Sequence, residues 1–324
     1  MPLVPRRSVR LYALPLALTL MATACGGGSG SDGTGSGTPS GEQLSGDIRI
    51  DGSSTVAPLS TVAAELFQEQ HPDVRVTVGT SGTGGGFEKF CNGETDISDA
   101  SRAIKADEVA ACEANGIDFE EITVANDGVS VVVNPANDWV DCLTVEELNA
   151  IWAPNSSVDN WSQVRQGFPD VELRLFGAGT DSGTFDYFTE AINGEEGASR
   201  ADYAQTEDDN ITVQGVSGTP GGLGYFGLSY LEENAGAVKG VAIDGGEGCV
   251  EPTVETVQSG EYQPLGRELF VYPSGEALQR PEVVAFLEFY IQENGTITEE
   301  ALFVPLTGEQ REQAQAKVDA LAGA

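Results

Sequence analysis

The chain of 324 residues carries 51 acidic against 16 Lys and Arg side chains, a formal charge of −35. No basic cluster offsets that excess, so neither nucleic acid nor an anionic lipid surface is expected as a direct partner. The length suits two domains with their own cores, and 40% hydrophobic with 21% charged residues is a globular composition.

The chain opens on a targeting segment. Arg6, Arg7 and Arg10 precede an apolar run from Leu11 to Leu20, too short to span a bilayer, and small residues follow up to Cys25. Ala22-Thr23-Ala24-Cys25 resembles a bacterial lipobox, with Ala22 where Leu is usual. The expectation is a signal peptide over residues 1–24, a lipidated Cys25 (palmitate among its acyl chains) and an extracytoplasmic protein anchored to the bacterial cell membrane. Ordinary secretion with Cys25 as a free thiol is the alternative. From residue 26 to 46 nearly every residue is Gly, Ser, Thr or otherwise polar. Such a stretch cannot bury enough apolar surface to order itself, so residues 25–46 read as a tether.

Three strand, loop and helix units follow. Asp47 to Ile50 reads as a strand, Gly52 to Thr55 as a turn, and Val56 to Gln70 as an amphipathic helix with Leu59, Val62, Ala63, Leu66 and Phe67 on one face. Val74 to Val78 alternates as a strand, Gly79 to Gly86 is a small-residue loop, and a helix begins at Phe87. The third unit runs from Leu173–Phe176 through the loop Gly177–Gly183 to a helix over Thr184–Ile192. Strands alternating with helices predict α/β architecture with largely parallel sheets. Two apolar runs, Gly128–Val133 and Glu268–Tyr272, are placed to cross side by side between lobes. The lobes would then comprise residues 47–125 plus 271–324, and 126–270. Glu309–Leu321 has helical spacing and is expected on the first lobe.

Beyond Cys25 the cysteines are Cys91, Cys112, Cys142 and Cys249, an even number in an oxidising setting. Of three possible pairings the preferred one is Cys91–Cys112, closing a local loop, with Cys142–Cys249 tying distant segments of one domain. A zinc site is disfavoured, because there is no CxxC and His71 is the only histidine; no metal or cofactor is expected.

The three loops share one chemistry. Glycine admits a ligand close to the backbone, helix N-termini present unpaired N–H groups with partial positive charge, and Ser and Thr hydroxyls add donors. Each loop alone could be only a helix cap. Together, beyond the carboxyl ends of their strands, they describe an oxyanion receptor. Gly179-Thr-Asp-Ser-Gly lacks the GxSxG spacing of a nucleophile elbow and His71 is the sole histidine base, so a secreted phosphate-ester hydrolase is the lesser reading. The glycine-rich loop has no following Gly-Lys-Ser/Thr and is not a nucleotide site. Trp139, Trp152 and Trp161 could form an adhesive patch, but their apolar neighbours favour packing roles.

In order along the chain, Asp51-Gly-Ser-Ser-Thr-Val-Ala-Pro58, Gly79-Thr-Ser-Gly-Thr-Gly-Gly-Gly-Phe87, Asp96-Ile-Ser-Asp-Ala-Ser-Arg102 and Gly179-Thr-Asp-Ser-Gly-Thr-Phe185 resemble the phosphate-binding proteins of the PstS family. Gly222-Leu-Gly-Tyr225 and Pro264-Leu-Gly-Arg-Glu-Leu-Phe270 resemble that family's later segments, so the likeness covers nearly all of residues 47–324. It implies a two-lobed type II periplasmic-binding-protein fold, with a hinge of two crossing strands and one phosphate in the cleft. It further implies a monomer without catalytic activity that delivers inorganic phosphate to the permease subunits of an ABC importer. Carried over by motif position, the ligand's donors are Ser54 and Thr55, Ser81 and Gly82, and Ser182, Gly183 and Thr184. Many relatives have Asp where Arg102 stands and Arg where Ala178 stands, so Arg102 is expected to supply the guanidinium from the opposite wall. Selectivity over sulfate calls for a carboxylate that accepts the phosphate proton; Asp181 is preferred, with Asp51 and Asp99 in reserve. Receptors for sulfate or molybdate are the alternatives within this class.

Overall fold

The computed structural model describes residues 44–322 apart from 181 and 207. The expected signal peptide, Cys25 and almost all of the expected tether lie outside the described residues. In β1 (Gly46–Gly52), Ile48 and Ile50 are buried while Asp47 and Arg49 are exposed. Helix α1 (Ala57–Gln70) buries Leu59, Ala63 and Phe67 on one stripe. Strand β2 (Val74–Thr80) lies parallel to β1, with Ile48 facing Val76. Helix α2 (Gly82–Cys91), β3 (Ile97–Ala100) and α3 (Ala106–Ala114) complete the first passage through lobe one.

The chain then crosses on β4 (Ile122–Val133), whose twelve residues are all buried except Thr123. A near-continuous apolar run is what a strand covered on both faces requires. Lobe two follows: β5 (Cys142–Thr144), α4 (Val145–Trp152), α5 (Trp161–Val164), β6 (Arg174–Ala178), α6 (Gly183–Asn193), β7 (Ala204–Thr206) and α7 (Asp209–Gly218). It continues through β8 (Gly222–Gly227), α8 (Leu228–Glu233), β9 (Lys239–Gly240), β10 (Ala242–Asp244), β11 (Cys249–Val250) and α9 (Val254–Gln258). Strand β12 (Gly266–Pro273) returns to lobe one, where α10 (Pro281–Gln292), α11 (Asn294–Glu300) and α12 (Gly308–Ala322) pack.

One sheet runs through both lobes in the order β2-β1-β3-β12-β4-β8-β6-β7, with β9 beside β4. Its two ends are parallel, as the alternating pattern predicts. The centre is antiparallel: β12 pairs antiparallel with both β3 and β4, and β4 with β8. The two crossing strands are longer than their apolar runs suggest. Val124, Ala125 and Leu269 belong to the first core, and Val129 and Leu265 to the second. The crossover therefore falls at Asn126–Gly128 and Gly266–Glu268. On β12 this is a few residues before the expected 270/271 boundary, because Leu269 and Phe270 pack with first-lobe residues.

Cys91–Cys112 joins α2 to α3, and Cys142–Cys249 joins β5 to β11 at the two edges of a small sheet ordered β11-β10-β5. By loop-closure entropy the longer loop gives the larger stabilisation, about 5 against about 3 kcal/mol. Trp152 and Trp161 are fully buried in the second core, and Trp139 packs against it. No helix of the described residues is long and apolar enough to cross a membrane.

Candidate functional site

The loops that follow β1 and β2 meet at one end of the first lobe. Ser81 N–H donates to Gly52 O (3.0 Å), and Ser53 N–H to Asp99 O (2.9 Å), tying the loop after β1 to β3. A methyl group at Gly86 would lie 2.5 Å from the Gly52 Cα, so only glycine lets the first turns of α2 approach β1 this closely. That contact explains why the glycine-rich run expected to be loop is helical from Gly82 onward: tertiary packing outweighs poor helix propensity. Neither α1 nor α2 has a side-chain cap at its N-terminus. The first amide of α1, Ala57 N–H, donates to Ser53 O (3.0 Å), while Gly82 and Thr83 at the start of α2 line the cavity.

Across the cleft stands the N-terminus of α6. A Cβ on Gly183 would come within 2.5 Å of Thr55 Oγ1 and 2.8 Å of Thr55 N, so a side chain there would hold the lobes apart. Two polar contacts bridge the walls: Ser54 Oγ donates to Asp186 Oδ2 (3.3 Å) and Thr55 Oγ1 to Gly183 O (3.4 Å). The cavity enclosed between them, about 20 Å³, is lined by Ser53, Ser54, Thr55, Gly82, Thr83 and Ser101 from lobe one. Gly183, Asp186, Tyr187, Glu190 and Glu196 line it from lobe two, and Arg267 from the crossover.

Arg267 is the cation of this cavity. It lies on β12 opposite Asp127 of β4, and its Nε and Nη2 donate to Asp127 Oδ2 at 3.2 and 3.1 Å. Nη2 also donates to Thr55 Oγ1 (3.1 Å) and Nη1 to Ser101 O (3.3 Å). The guanidinium carbon sits 3.5 Å from the ring centroid of Tyr187. Arg267 and Asp127 side chains are 13% and 10% exposed, so this is a largely buried pair with a fixed donor fork.

Burial, reinforced by the charge of Glu196, raises the Asp186 pKa against the opposing effects of the Ser54 bond and Arg267. Behind the first loop, Asp99 is fully buried; desolvation lifts its pKa to about 8 despite the hydrogen bond from Ser60, with Asp51 adding repulsion. Asp51 goes the other way: burial pushes its pKa up, but the bonds from Lys89 and Ser81 outweigh that and hold it below its ordinary value.

Of the residues singled out in the sequence, Ser54, Thr55, Gly82 and Gly183 line the cavity. Ser81 does not, because its hydroxyl donates to Asp51 Oδ1; Thr83, two residues on, takes the place expected of it. Ser182 accepts from Thr184 N–H (3.2 Å) and so caps α6, and neither of these residues lines the cavity. Asp181 lies outside the described residues. Arg102 is corrected most clearly. Glu108 holds it with two hydrogen bonds of 2.8 Å, and its guanidinium lies 5.8 Å from the Phe87 ring, beside the cavity rather than in its lining. Asp51 and Asp99 are both engaged behind the first loop, with Ser81, Lys89 and Ser60. Sequence reasoning missed Arg267, Asp186, Glu190, Glu196, Thr83 and Ser101. Arg267 stands inside the Pro264–Phe270 segment already noted, and Asp186 follows Gly183 by one helical turn.

A two-lobed α/β receptor with a small polar cleft at the crossover is the class that this fold and cavity define. The PBP superfamily domain matches residues 34–294. The chain is 36% identical to the phosphate-binding protein PstS of Staphylococcus saprophyticus over 94% of its own length and 92% of that protein. It is 48% identical to Protein SphX of Synechococcus elongatus over 80% of its length and 77% of that protein. Among solved structures, a possible phosphate binding protein from Planctomyces limnophilus superposes with a TM-score of 0.82 at 50% identity, covering 86% of this chain and 99% of that one. The chain belongs to the PBP superfamily and, within it, to the PstS family of phosphate-binding proteins.

Proposed function

We propose that this protein captures inorganic phosphate between its lobes outside the cytoplasm, anchored by a lipid on Cys25, and hands it to the permease subunits of an ABC importer. The observation that carries the reading is Arg267. It is held at the crossover by Asp127, Thr55, the Ser101 carbonyl and the face of Tyr187, in the cavity that the hydroxyl-bearing loops, the start of α2 and Gly183 also line. Ser54, Thr55 and Thr83, the start of α2 at Gly82, and Arg267 supply donors to the phosphate oxygens. Asp186, with its raised pKa, is the acceptor for the phosphate proton in the place first given to Asp181.

The present cross-cleft contacts, Ser54 to Asp186 and Thr55 to Gly183, are those that an entering anion replaces with bridges of its own. A hydrolytic role has less support: His71 caps the far end of α1, about 20 Å along the helix from the cleft, and packs against Phe67 with the rings tilted 40°.

Calorimetric titration with phosphate, arsenate, sulfate and molybdate at two pH values tests the reading. Stoichiometric phosphate binding without sulfate binding is expected. A preference for sulfate, or turnover of a phosphomonoester, would overturn it.

A further inference from the structure

The crossover has two faces. Neighbouring side chains on a strand point to opposite sides, so Asp127 and Arg267 face the cleft while Asn126 and Glu268, themselves paired in register, face away from it. The back face is covered by the segment between α11 and the first turn of α12. Asn126, only 1% exposed, exchanges backbone hydrogen bonds with Val304 (2.9 and 3.1 Å) and donates from Nδ2 to Pro305 O (3.0 Å) and Gln310 Oε1 (3.1 Å). Gln310 returns a bond from Nε2 to Asn126 Oδ1 (2.9 Å), gives another to Glu268 Oε1 (2.7 Å), and accepts at Oε1 from Thr307 N–H (2.9 Å). One amide thus grips both crossing strands at the residues where they pass between lobes.

The same segment is fastened to each lobe. On the first, Leu306 N–H donates to Asn294 Oδ1 (3.0 Å), and Asn294 Nδ2 to Val124 O (2.6 Å). On the second, Ser229 Oγ of α8 donates to Leu302 O (2.9 Å), Gln258 Nε2 of α9 donates to Pro305 O (2.9 Å), and Val304 packs in the second core. Leu302 has φ 61°, a left-handed conformation at a helix end where glycine is usual. A leucine held there is strained, and such strain persists only where surrounding contacts over-determine it.

We propose that Leu302–Gln310 is a strap across the back of the hinge, and that Gln310 and Asn126 are positioning residues holding the lobes in the arrangement that closes the cleft. The strap's contacts coexist here with the contacts between the cleft walls. Loosening the strap therefore favours the open form, and phosphate leaves faster without any change in the groups that touch it. The inference rests on the proposed phosphate site for its kinetic consequence, but not for its structural one.

Two variants test it: Gln310→Ala, which releases the crossing strands, and Ser229→Ala/Gln258→Ala, which releases only the second lobe. Solution scattering of the phosphate-free proteins should show a larger radius of gyration than wild type. Stopped-flow measurements should show phosphate dissociation about tenfold faster, with association within about twofold. Should Gln310→Ala fail to fold, the double variant decides. Folded variants with wild-type scattering and wild-type dissociation rates overturn the strap, as does a fall in Tm with phosphate kinetics unchanged well below it. A wild-type protein that does not bind phosphate overturns the functional reading instead, and the scattering comparison still judges the strap.

Discussion

The two walls of the cleft are built from different chemistry. The first lobe offers hydroxyls and uncapped helix N-termini, with its nearest carboxylates, Asp51 and Asp99, turned behind the loops. The second lobe offers Gly183 and a row of acids, Asp186, Glu190 and Glu196. Arg267 belongs to the strand that joins them. A fully deprotonated anion fits the first wall and is repelled by the second, whereas an anion that keeps a proton satisfies both. On the proposed reading, specificity resides in the pairing of the walls, and neither lobe carries it alone.

Substitutions can break that pairing one element at a time. Arg267→Ala is expected to have the largest effect, because it removes the shared cation and leaves Asp127 buried without its partner, a change that costs about 3–5 kcal/mol. Calorimetry should find phosphate binding lost, with a lowered Tm; undiminished affinity would remove Arg267 from the site. Asp186→Asn should erase the contrast between the walls: phosphate affinity falls while sulfate binding appears, since relief of like-charge repulsion is worth several kcal/mol. A variant still blind to sulfate would place the proton acceptor elsewhere. Gly183→Ala puts a methyl group against the Thr55 backbone and should weaken binding by about 1–3 kcal/mol as the walls are pushed apart. Scattering would register the wider cleft.

The smallest effect on ligand binding concerns what lies beneath the donor wall. Asp99 is faced by Ser60 of α1, by Tyr290 of α10 through Ser60, and by the charge of Asp51 on β1. Its folded pKa, about 8, exceeds that of the unfolded chain, so the folded form holds a proton the unfolded form gives up. The stability it contributes is whole below pH 4 and drains away as pH climbs to and through about 8. Asp99→Asn should match wild type near pH 4 and exceed it in Tm by a margin that widens as pH climbs toward 8. Parallel Tm curves at all pH values would show that Asp99 does not titrate there.

How much of this was legible in the sequence depended on range. Alternation in Val74–Val78 and the apolar stripe of α1 are local signals, and the strands and helices they predict are present. Ser54, Thr55, Gly82 and Gly183 line the cavity, and small residues after a strand are the local signal of a loop that approaches something closely. Ser81 was misplaced because the carboxylate that captures it, Asp51, lies thirty residues earlier. Arg102 was misplaced because its partner, six residues on, reads equally well as a helix-capping Glu. Arg267 required the register of two strands 140 residues apart, which a linear pattern does not encode.

The buried ion pair at the crossover has a further consequence for the energetics of uptake. Because Asp127 already neutralises Arg267, an incoming dianion finds no uncompensated positive side chain among the groups lining the cavity, only dipoles, hydroxyls and acids. On the proposed reading its charge is then balanced in part by a hydrogen ion drawn from solution onto the ligand itself, which leaves Asp186 ionised as the acceptor. Phosphate binding measured in buffers of different ionisation enthalpy should therefore give different apparent heats, whose slope counts the protons taken up per phosphate bound.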